Sequence, residues 1–380
     1  MGLVLTEDQQ MLKKAAADFV RKESPISRVR ALRDSDDAVG FSRDLWKKMA
    51  DLGWQAIPIP EDAGGLGMGC VEMACVLEEC GRAMVPEPLL STVLLGAGAV
   101  LAGGTEAQKN DLLPRVADGS LLMTLAYQER NSRYDLACCA ARAGKTAGAY
   151  VLSGEKTLVL DGHVADVIVV VARTSGDERD RDGLSLFLLE RGAAGVEVIR
   201  QKTMHLRQAA IVRMNNVEVP SSALIGAEGK GLSILEDVVD RATAGLCAEM
   251  LGNMTATFEM TLDYLKTRKQ YGVAIGTFQA LKHRAAKIFV ELELARSSVM
   301  GACSALDRGA PEARVLVSVA KARCSDAGVL VGYEGLQMHG GIGMTDEHDV
   351  GFLMKRLRGS EMTFGDAAYH RDRFASLQGF

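Results

Sequence analysis

The chain has 380 residues, which is too many for one simple hydrophobic core and predicts two or three domains. Its composition, 48% hydrophobic and 24% charged, is typical of an ordinary soluble, well-packed protein. The formal net charge is −5 and no basic tail is present, which argues against a nucleic-acid partner.

Signals for membrane insertion, secretion and metal binding are missing from the sequence. The strongest apolar run, Val167–Ala172, is far shorter than the ~18 residues that span a bilayer. The first residues lack the basic and apolar regions of a signal peptide. None of the eight cysteines forms a Cys-x-x-Cys pair, and the six histidines form no His-x-x-x-His pair. We therefore expect buried free thiols in a reducing cytoplasm, and no metal site.

Residues 1–122 are predicted to form an N-terminal α-helical domain. Thr6 suits an N-cap, because acidic and amide residues follow it at the positive end of a helix dipole. Apolar residues recur at helical spacing from Leu12 to Phe19. Further helices are predicted at Val71–Arg82, Leu89–Leu101 and Glu106–Val116. The loop Pro58–Gly67 interrupts the helices, and we interpret it as a plain turn because it lacks the Lys-Ser/Thr ending of a phosphate-binding loop.

Residues 123–226 are predicted to form a middle β domain, because the apolar period changes to two. We interpret Tyr150–Leu160 as two strands around a Ser-Gly turn. Further short strands are predicted at Val167–Ala172, Leu184–Leu189, Val196–Ile199 and Ile211–Val219. Because no helices intervene, we expect a small antiparallel β-barrel, with a sandwich as the alternative, and not βαβ units.

Residues 227–380 return to a helical pattern and are predicted to form a C-terminal four-helix bundle. Helices are predicted at Leu232–Lys266, Thr277–Arg308, Glu312–Met338 and Thr345–Leu357, with a short last helix from Asp366 to about Leu377. The predicted fold class is thus α+β multidomain, with helical, β and helical domains in chain order.

Two motifs in the C-terminal segment resemble those of the acyl-CoA dehydrogenase family. They are Arg268-Lys269-Gln270-Tyr271-Gly272 with Phe278-Gln279, and Glu334-Gly335-Leu336-Gln337-Met338-His339-Gly340-Gly341-Ile342-Gly343. The order of blocks agrees over nearly the whole chain, and the Pro60–Gly67 loop and Leu125–Glu129 match as well. The resemblance implies FAD-dependent α,β-dehydrogenation of an acyl-CoA, in which a carboxylate removes a Cα proton while hydride leaves Cβ for flavin N5. It also implies FAD between the subunits of a dimer, usually within a tetramer.

The same resemblance implies a set of cofactor-binding residues. Arg268 is expected to meet the FAD pyrophosphate of a neighbouring subunit, and a plain helix-terminal arginine is the alternative. The adenosine part is expected to lie against Gln270, Tyr271, Phe278 and Gln279, which would otherwise form an ordinary helix-joining turn. Further cofactor contacts are expected from Gln337, Gly340 and Gly341, from Tyr127 and Gln128 beside the isoalloxazine, and from Asp366. Leu158 stands where the family often has a Trp, and core packing alone would also explain it.

The carboxylate that many family members use as the base is missing. Their Tyr-Glu-Gly-Thr stretch corresponds here to Thr363-Phe364-Gly365-Asp366, and Phe364 cannot accept a proton. Ala248-Glu249-Met250-Leu251-Gly252 is similar to the Ala-Glu-x-x-Gly segment that carries the base in bacterial sterol side-chain dehydrogenases. Glu249 is therefore the predicted base, unless it lies on a solvated helix face. Asp240, beside Arg241, is the second candidate, and a surface Asp-Arg pair explains it as well.

The leading hypothesis is an acyl-CoA dehydrogenase for a bulky or branched acyl group, since Ala242–Gly245 are all small. An electron-transfer flavoprotein is the expected electron acceptor. The alternative is a catalytically silent partner subunit of a heterotetramer, which Phe364 favours and Glu249 opposes. An oxidase or a nitroalkane-type flavoprotein on the same fold is a third possibility, which rapid peroxide formation in air would indicate.

Overall fold

The computed structural model describes residues 4–380, so the first three residues, on which part of the signal-peptide prediction rests, lie outside the described residues. The α-helices are α1 Glu7–Glu23, α2 Ile26–Asp34, α3 Arg43–Asp51, α4 Cys70–Arg82, α5 Gly98–Gly103, α6 Glu106–Ala117, α7 Gly231–Thr267, α8 Gln279–Asp307, α9 Ala313–His339, α10 Val350–Met362 and α11 Ala367–Leu377. The strands are β1 Met123–Ala126, β2 Arg142–Lys145, β3 Ala149–Leu160, β4 Val167–Arg173, β5 Leu184–Glu190, β6 Val196–Gln201, β7 Ala209–Pro220, β8 Leu224–Ile225, β9 Lys269–Gln270 and β10 Val273–Ala274. The predicted fold class is confirmed, because helices precede and follow a block of strands.

The residues group into two compact units. The first contains the described part of Met1–Ser35 together with Gly69–Val85 and Thr243–Phe380. The second contains Asp36–Met68 and Pro86–Ala242, and therefore the whole sheet of β1–β8. Within residues 4–380, no helix combines the length and apolar character needed to cross a membrane.

The sheet of the second unit has the strand order β6-β7-β3-β2-β4-β5-β8, with β1 also paired to β4. Most neighbours are antiparallel, but β1 runs parallel to β4, from Met123 opposite Val167 onwards. The prediction of two strands in Tyr150–Leu160 is wrong, because β3 is one strand with shifts of register. Gly154 lies at a shift with φ 145°, and a Cβ there would come within 2.6 Å of Ala141. The Ser-Gly pair therefore marks a β-bulge and not a turn.

The predicted helix Leu89–Leu101 forms a π-helix at Leu90–Ala97 that continues into α5. The π-helix packs against β1. A Cβ on Gly96 would overlap Met123 in that strand. Glycine at this position therefore permits the close contact between the π-helix and the sheet.

The first unit is a helical bundle in which α9 packs against α8, α10 and α11. Helix α7 approaches α9 at Gly335, where a Cβ would lie 2.8 Å from Thr257. It also crosses α4, and there the backbones meet directly. A Cβ on Gly252 of α7 would overlap the carbonyl oxygen of Glu78, and a Cβ on Gly81 of α4 would overlap that of Glu249. Helix α4 thus fixes the position of the α7 segment that carries the predicted base.

Candidate active site and cofactor-binding segments

Glu249 lies in the middle of α7 and is only 6% exposed, which rules out the solvated helix face. Its Oε1 accepts a hydrogen bond from Nη1 of Arg356, on α10, at 3.2 Å. The Arg356 side chain is 2% exposed, so both charges of this ion pair are buried. The guanidinium offsets the cost of removing the carboxylate from water. Cys247, Ala248, Met250 and Leu251 surround Glu249 in sequence and are buried as well.

Glu249 begins a row of side chains on one face of α7, continued by Asn253, Ala256 and Met260. Glu249 and Asn253 are buried, whereas Ala256 and Met260 are half-buried, so exposure rises along the row. Asn253 is 1% exposed, and neither its Oδ1 nor its Nδ2 has a hydrogen-bond partner within residues 4–380. The row leads from a partly accessible surface to the Glu249 carboxylate.

Asp240, the second candidate base, is 3% exposed and belongs to the second unit. The predicted surface pair with Arg241 is wrong, because Arg241 Nε donates to Asp237 at 3.1 Å while Asp240 is buried. Both candidate bases are therefore buried, so burial does not distinguish them. The choice of Glu249 over Asp240 depends on its neighbours Arg356 and Asn253.

The turn at Phe364, where many family members carry the catalytic base, is held from the interior by two buried basic side chains, Lys321 and His370. Lys321 Nζ donates to the carbonyl oxygens of Gly365 and Glu361 at 2.6 and 2.7 Å. His370 Nε2 donates to the Phe364 carbonyl oxygen at 3.0 Å. Burial lowers the pKa of Lys321 to about 8. Burial, helped by the charge of Lys321, lowers the pKa of His370 to about 3. This turn presents a buried aromatic ring and no carboxylate.

Asp366 follows this turn and caps helix α11. Its Oδ1 accepts a hydrogen bond from the backbone N–H of Tyr369 at 2.8 Å, as an N-cap residue does. The side chain is half-buried. One carboxylate oxygen thus has a structural partner, and a cofactor contact of Asp366 has to be compatible with this cap.

Of the predicted adenosine-binding residues, Gln270 and Tyr271 lie on the exposed hairpin of β9 and β10, and Phe278 and Gln279 lie at the start of α8. Tyr271 is 92% exposed, and its backbone is in the left-handed region with φ 51°. The Phe278 ring lies edge-on to it, with centroids 6.3 Å apart. Arg268, Gln270 and Gln279 are exposed as well. The hairpin and the residues just before and after it therefore expose a cation, two amides and two aromatic rings to a ligand.

The Gly340–Gly341 segment directly follows α9 and has an open backbone. A Cβ on either glycine would meet no atom within 4 Å, and Gln337 is exposed. His339 supports the segment from the interior, because its ring stacks on Tyr264 and His348 at centroid distances of 4.6 and 4.4 Å. Open glycines, an arginine and exposed aromatic rings fit FAD, whose pyrophosphate needs cationic partners and close backbone approach.

In the second unit, Tyr127 and Gln128 are half-buried residues that directly follow β1. Lys156 of β3 is fully buried, and its Nζ donates to Glu129 Oε1 at 2.6 Å and to the Tyr127 carbonyl oxygen at 3.4 Å. Burial raises the pKa of Glu129, but Lys156 and two backbone amides lower it by more, so the pKa of Glu129 stays below its usual value. Thr157 N–H also donates to the Gln128 carbonyl oxygen at 2.8 Å. These bonds fix the loop that carries Tyr127 and Gln128.

Leu158 is 47% exposed and has φ 51°. Core packing therefore does not explain this side chain. It lies at the second shift in the pairing of β3 with β7, between Lys156 and Val159.

Sequence reasoning missed Arg356 and Asn253. Arg356 is 107 residues away from Glu249 in the chain, and no spacing rule connects them. Asn253 was detectable in principle, since it stands one helical turn after Glu249 among apolar neighbours.

Comparison with known proteins gives matches along almost the whole chain. Residues 6–120, 124–217 and 229–377 match the N-terminal, middle and C-terminal domains of acyl-CoA dehydrogenase. The acyl-CoA dehydrogenase IpdE2 of Mycobacterium tuberculosis is 32% identical, over 93% of this chain and 92% of its own. A variant of the Tcur3481-Tcur3483 steroid ACAD is 29% identical, with a TM-score of 0.87 and 98% of each chain covered. The ChsE4-ChsE5 complex of M. tuberculosis is 26% identical, with a TM-score of 0.90 and both chains fully covered.

Proposed function

Because the chain belongs to the acyl-CoA dehydrogenase family, we propose that Glu249 is the base of its FAD-dependent α,β-dehydrogenation of an acyl-CoA thioester. The observation that carries this proposal is the buried Glu249 carboxylate, paired with Arg356 at the inner end of a row of α7 side chains. When bound, FAD supplies the acceptor for the hydride that leaves Cβ.

The chemical task of Glu249 is to take the Cα proton onto a carboxylate oxygen. A carboxylate oxygen held beside the substrate Cα accepts this proton as a general base. Arg356 restrains the orientation of the carboxylate through its hydrogen bond. When Glu249 is neutralised by the proton, the buried guanidinium keeps its positive charge, which favours negative charge developing on the thioester.

The proposed FAD contacts come from the exposed hairpin and from the loops described above. Arg268 would bind the pyrophosphate of a neighbouring subunit's FAD, because its side chain is exposed and stands directly before the hairpin. The remaining contacts are proposed for Gln270, Tyr271, Phe278, Gln279, Gln337, Gly340, Gly341, Tyr127, Gln128 and Asp366. The 92% exposure of Tyr271 supports a partner subunit or cofactor that covers it.

The acyl group is proposed to be bulky or branched. Small residues around Ala244 and Ala248 leave little side-chain volume on this part of α7. The likeness to a steroid ACAD supports the same substrate class. We further propose a cytoplasmic homotetramer or heterotetramer, reoxidised by an electron-transfer flavoprotein.

A second candidate function is that of a catalytically silent subunit in a two-chain assembly. The buried Phe364 at the usual base position favours it, as does the similarity to a chain of the ChsE4-ChsE5 complex. Colour and mass separate the two candidates. A yellow homotetramer that an acyl-CoA bleaches without air supports the enzyme, whereas a chain that stays colourless until co-expressed with a relative supports the silent subunit.

The Glu249→Gln variant tests the base. We expect flavin to remain bound, and the anaerobic rate of flavin reduction by acyl-CoA to fall by at least ~10²-fold, because general base catalysis contributes that much. Glu79→Gln is the matched control, since Glu79 is another carboxylate buried in the first unit. Asp240→Asn tests the other candidate. Full activity of Glu249→Gln would refute the assignment, and loss in Asp240→Asn alone would transfer the role to Asp240.

A further inference from the structure

Asn253 is a buried amide whose two polar atoms both lack a hydrogen-bond partner within residues 4–380. Burying such a group without partners destabilises a fold, so native proteins keep one only where something else pairs with it. The side chain, and not the backbone carbonyl, is the part of Asn253 left unpaired, because the carbonyl oxygen accepts a hydrogen bond from Thr257 Oγ1 at 2.8 Å. Its neighbour Met254 is fully buried, which shows that an apolar residue suits this depth.

The position of Asn253 relates it to the proposed base. Four residues separate it from Glu249, which places both on one face of α7 and about 6 Å apart along the axis. Ala256 and Met260 continue the same row and are half-buried. An acyl group whose Cα lies at Glu249, and whose distal carbons extend along this row, would place those carbons beside the Asn253 amide.

We propose that Asn253 determines substrate specificity by binding a hydroxyl group on the acyl part of the CoA thioester. The proposal rests on the proposed function, in that the acyl Cα lies at Glu249. An amide offers N–H donors and a carbonyl acceptor, and a single hydroxyl both accepts and donates, so it pairs with both atoms. A keto oxygen would leave Oδ1 unpaired. A carboxylate would do the same and would also be repelled by Glu249.

The spacing gives the expected place of this hydroxyl on the substrate. A separation of about 6 Å from Cα corresponds to a hydroxyl near the sixth carbon of an extended chain. A saturated acyl group would leave the amide unpaired in the complex, and sites built to bind a substrate hydroxyl discriminate strongly against analogues that lack it. We therefore expect a preference of at least ~10-fold for the hydroxylated acyl group.

The test compares 6-hydroxyhexanoyl-CoA with heptanoyl-CoA, which carries a methyl group in place of the hydroxyl. Binding to the flavin-loaded full-length protein is measured by calorimetry, and flavin reduction is followed separately. We expect the wild type to bind the hydroxylated thioester at least ~10-fold more tightly, and Asn253→Leu to lose or reverse the preference. Met254→Leu, an adjacent volume-conserving change, is the control and should keep it.

Asn253→Leu should also raise the Tm, because it removes an unpaired buried amide. Asn253→Ala serves the same comparison if the leucine variant does not fold. A wild type without a preference, or a preference unchanged in the Asn253 variants, overturns the proposal. The binding measurement does not require turnover. A preference that depends on Asn253 in a chain that never reduces its flavin would thus refute the base and keep the hydroxyl site.

Discussion

The buried ion pair between Glu249 and Arg356 makes a quantitative prediction about stability. Replacing Arg356 by Met keeps most of the side-chain volume but leaves the Glu249 charge without this partner. The side chains are 2% and 8% exposed and the two atoms lie 3.2 Å apart, so the cost is that of an interior pair. Removing one partner of such a pair destabilises a protein by about 3–5 kcal/mol. The double variant Arg356→Met/Glu249→Gln removes the stranded charge and should recover most of that loss.

Urea denaturation of the holoenzyme and of the single and double variants measures this effect as shifts in the midpoint, interpreted at constant m value. Lys14→Met is the control, since Lys14 pairs with Asp18 on the surface at 2.8 Å, where solvent screens the pair and its loss should change stability little. Two results would refute the reasoning. One is an Arg356→Met variant no less stable than the control, and the other is a double variant as unstable as Arg356→Met alone.

Two further predictions concern residues of the first unit. Burial and the charge of Lys321 lower the pKa of His370 in the folded chain to about 3, whereas in the unfolded chain the ring takes up a proton below about pH 6.5. Stability should therefore fall as the pH drops from about 6.5 to about 3. His370→Phe should flatten this slope in urea denaturation at several pH values, and an unchanged slope would contradict the assignment. Gly252→Ala should lower the Tm strongly, because the added Cβ overlaps the Glu78 carbonyl oxygen. Gly301→Ala is the control on an open face of α8, and it should raise stability by roughly 0.5–1 kcal/mol. Equal Tm changes in the two alanine variants would contradict the close contact of α4 and α7.

Features that depend on neighbours in sequence were predictable. Thr6 is an N-cap, as predicted, and it forms a capping box with Gln9. The helix predicted at Glu106–Val116 is α6, which begins and ends within one residue of the prediction. In both cases the decisive bonds join residues three or four positions apart, so the local pattern contains the information.

Features that depend on distant residues were not predictable. The helix predicted from Thr345 begins only at Val350. Arg33 of α2 donates two hydrogen bonds, at 2.6 and 2.8 Å, to Asp346 in the loop before it. Arg30 donates to Asp349 at 2.7 Å. These partners lie more than 300 residues away in the chain, and they hold a series of turns where helical periodicity alone predicts a helix.

The glycine contact between α4 and α7 constrains how this active site can change during evolution. Since neither Gly81 nor Gly252 can accept a side chain without separating the two helices, the backbone around Glu249 is effectively invariant in position. New substrate preferences must then arise from side chains that project from this fixed helix, such as those of Asn253, Ala256 and Met260. A library of variants restricted to these three positions would therefore sample substrate range while leaving the two contact glycines unchanged.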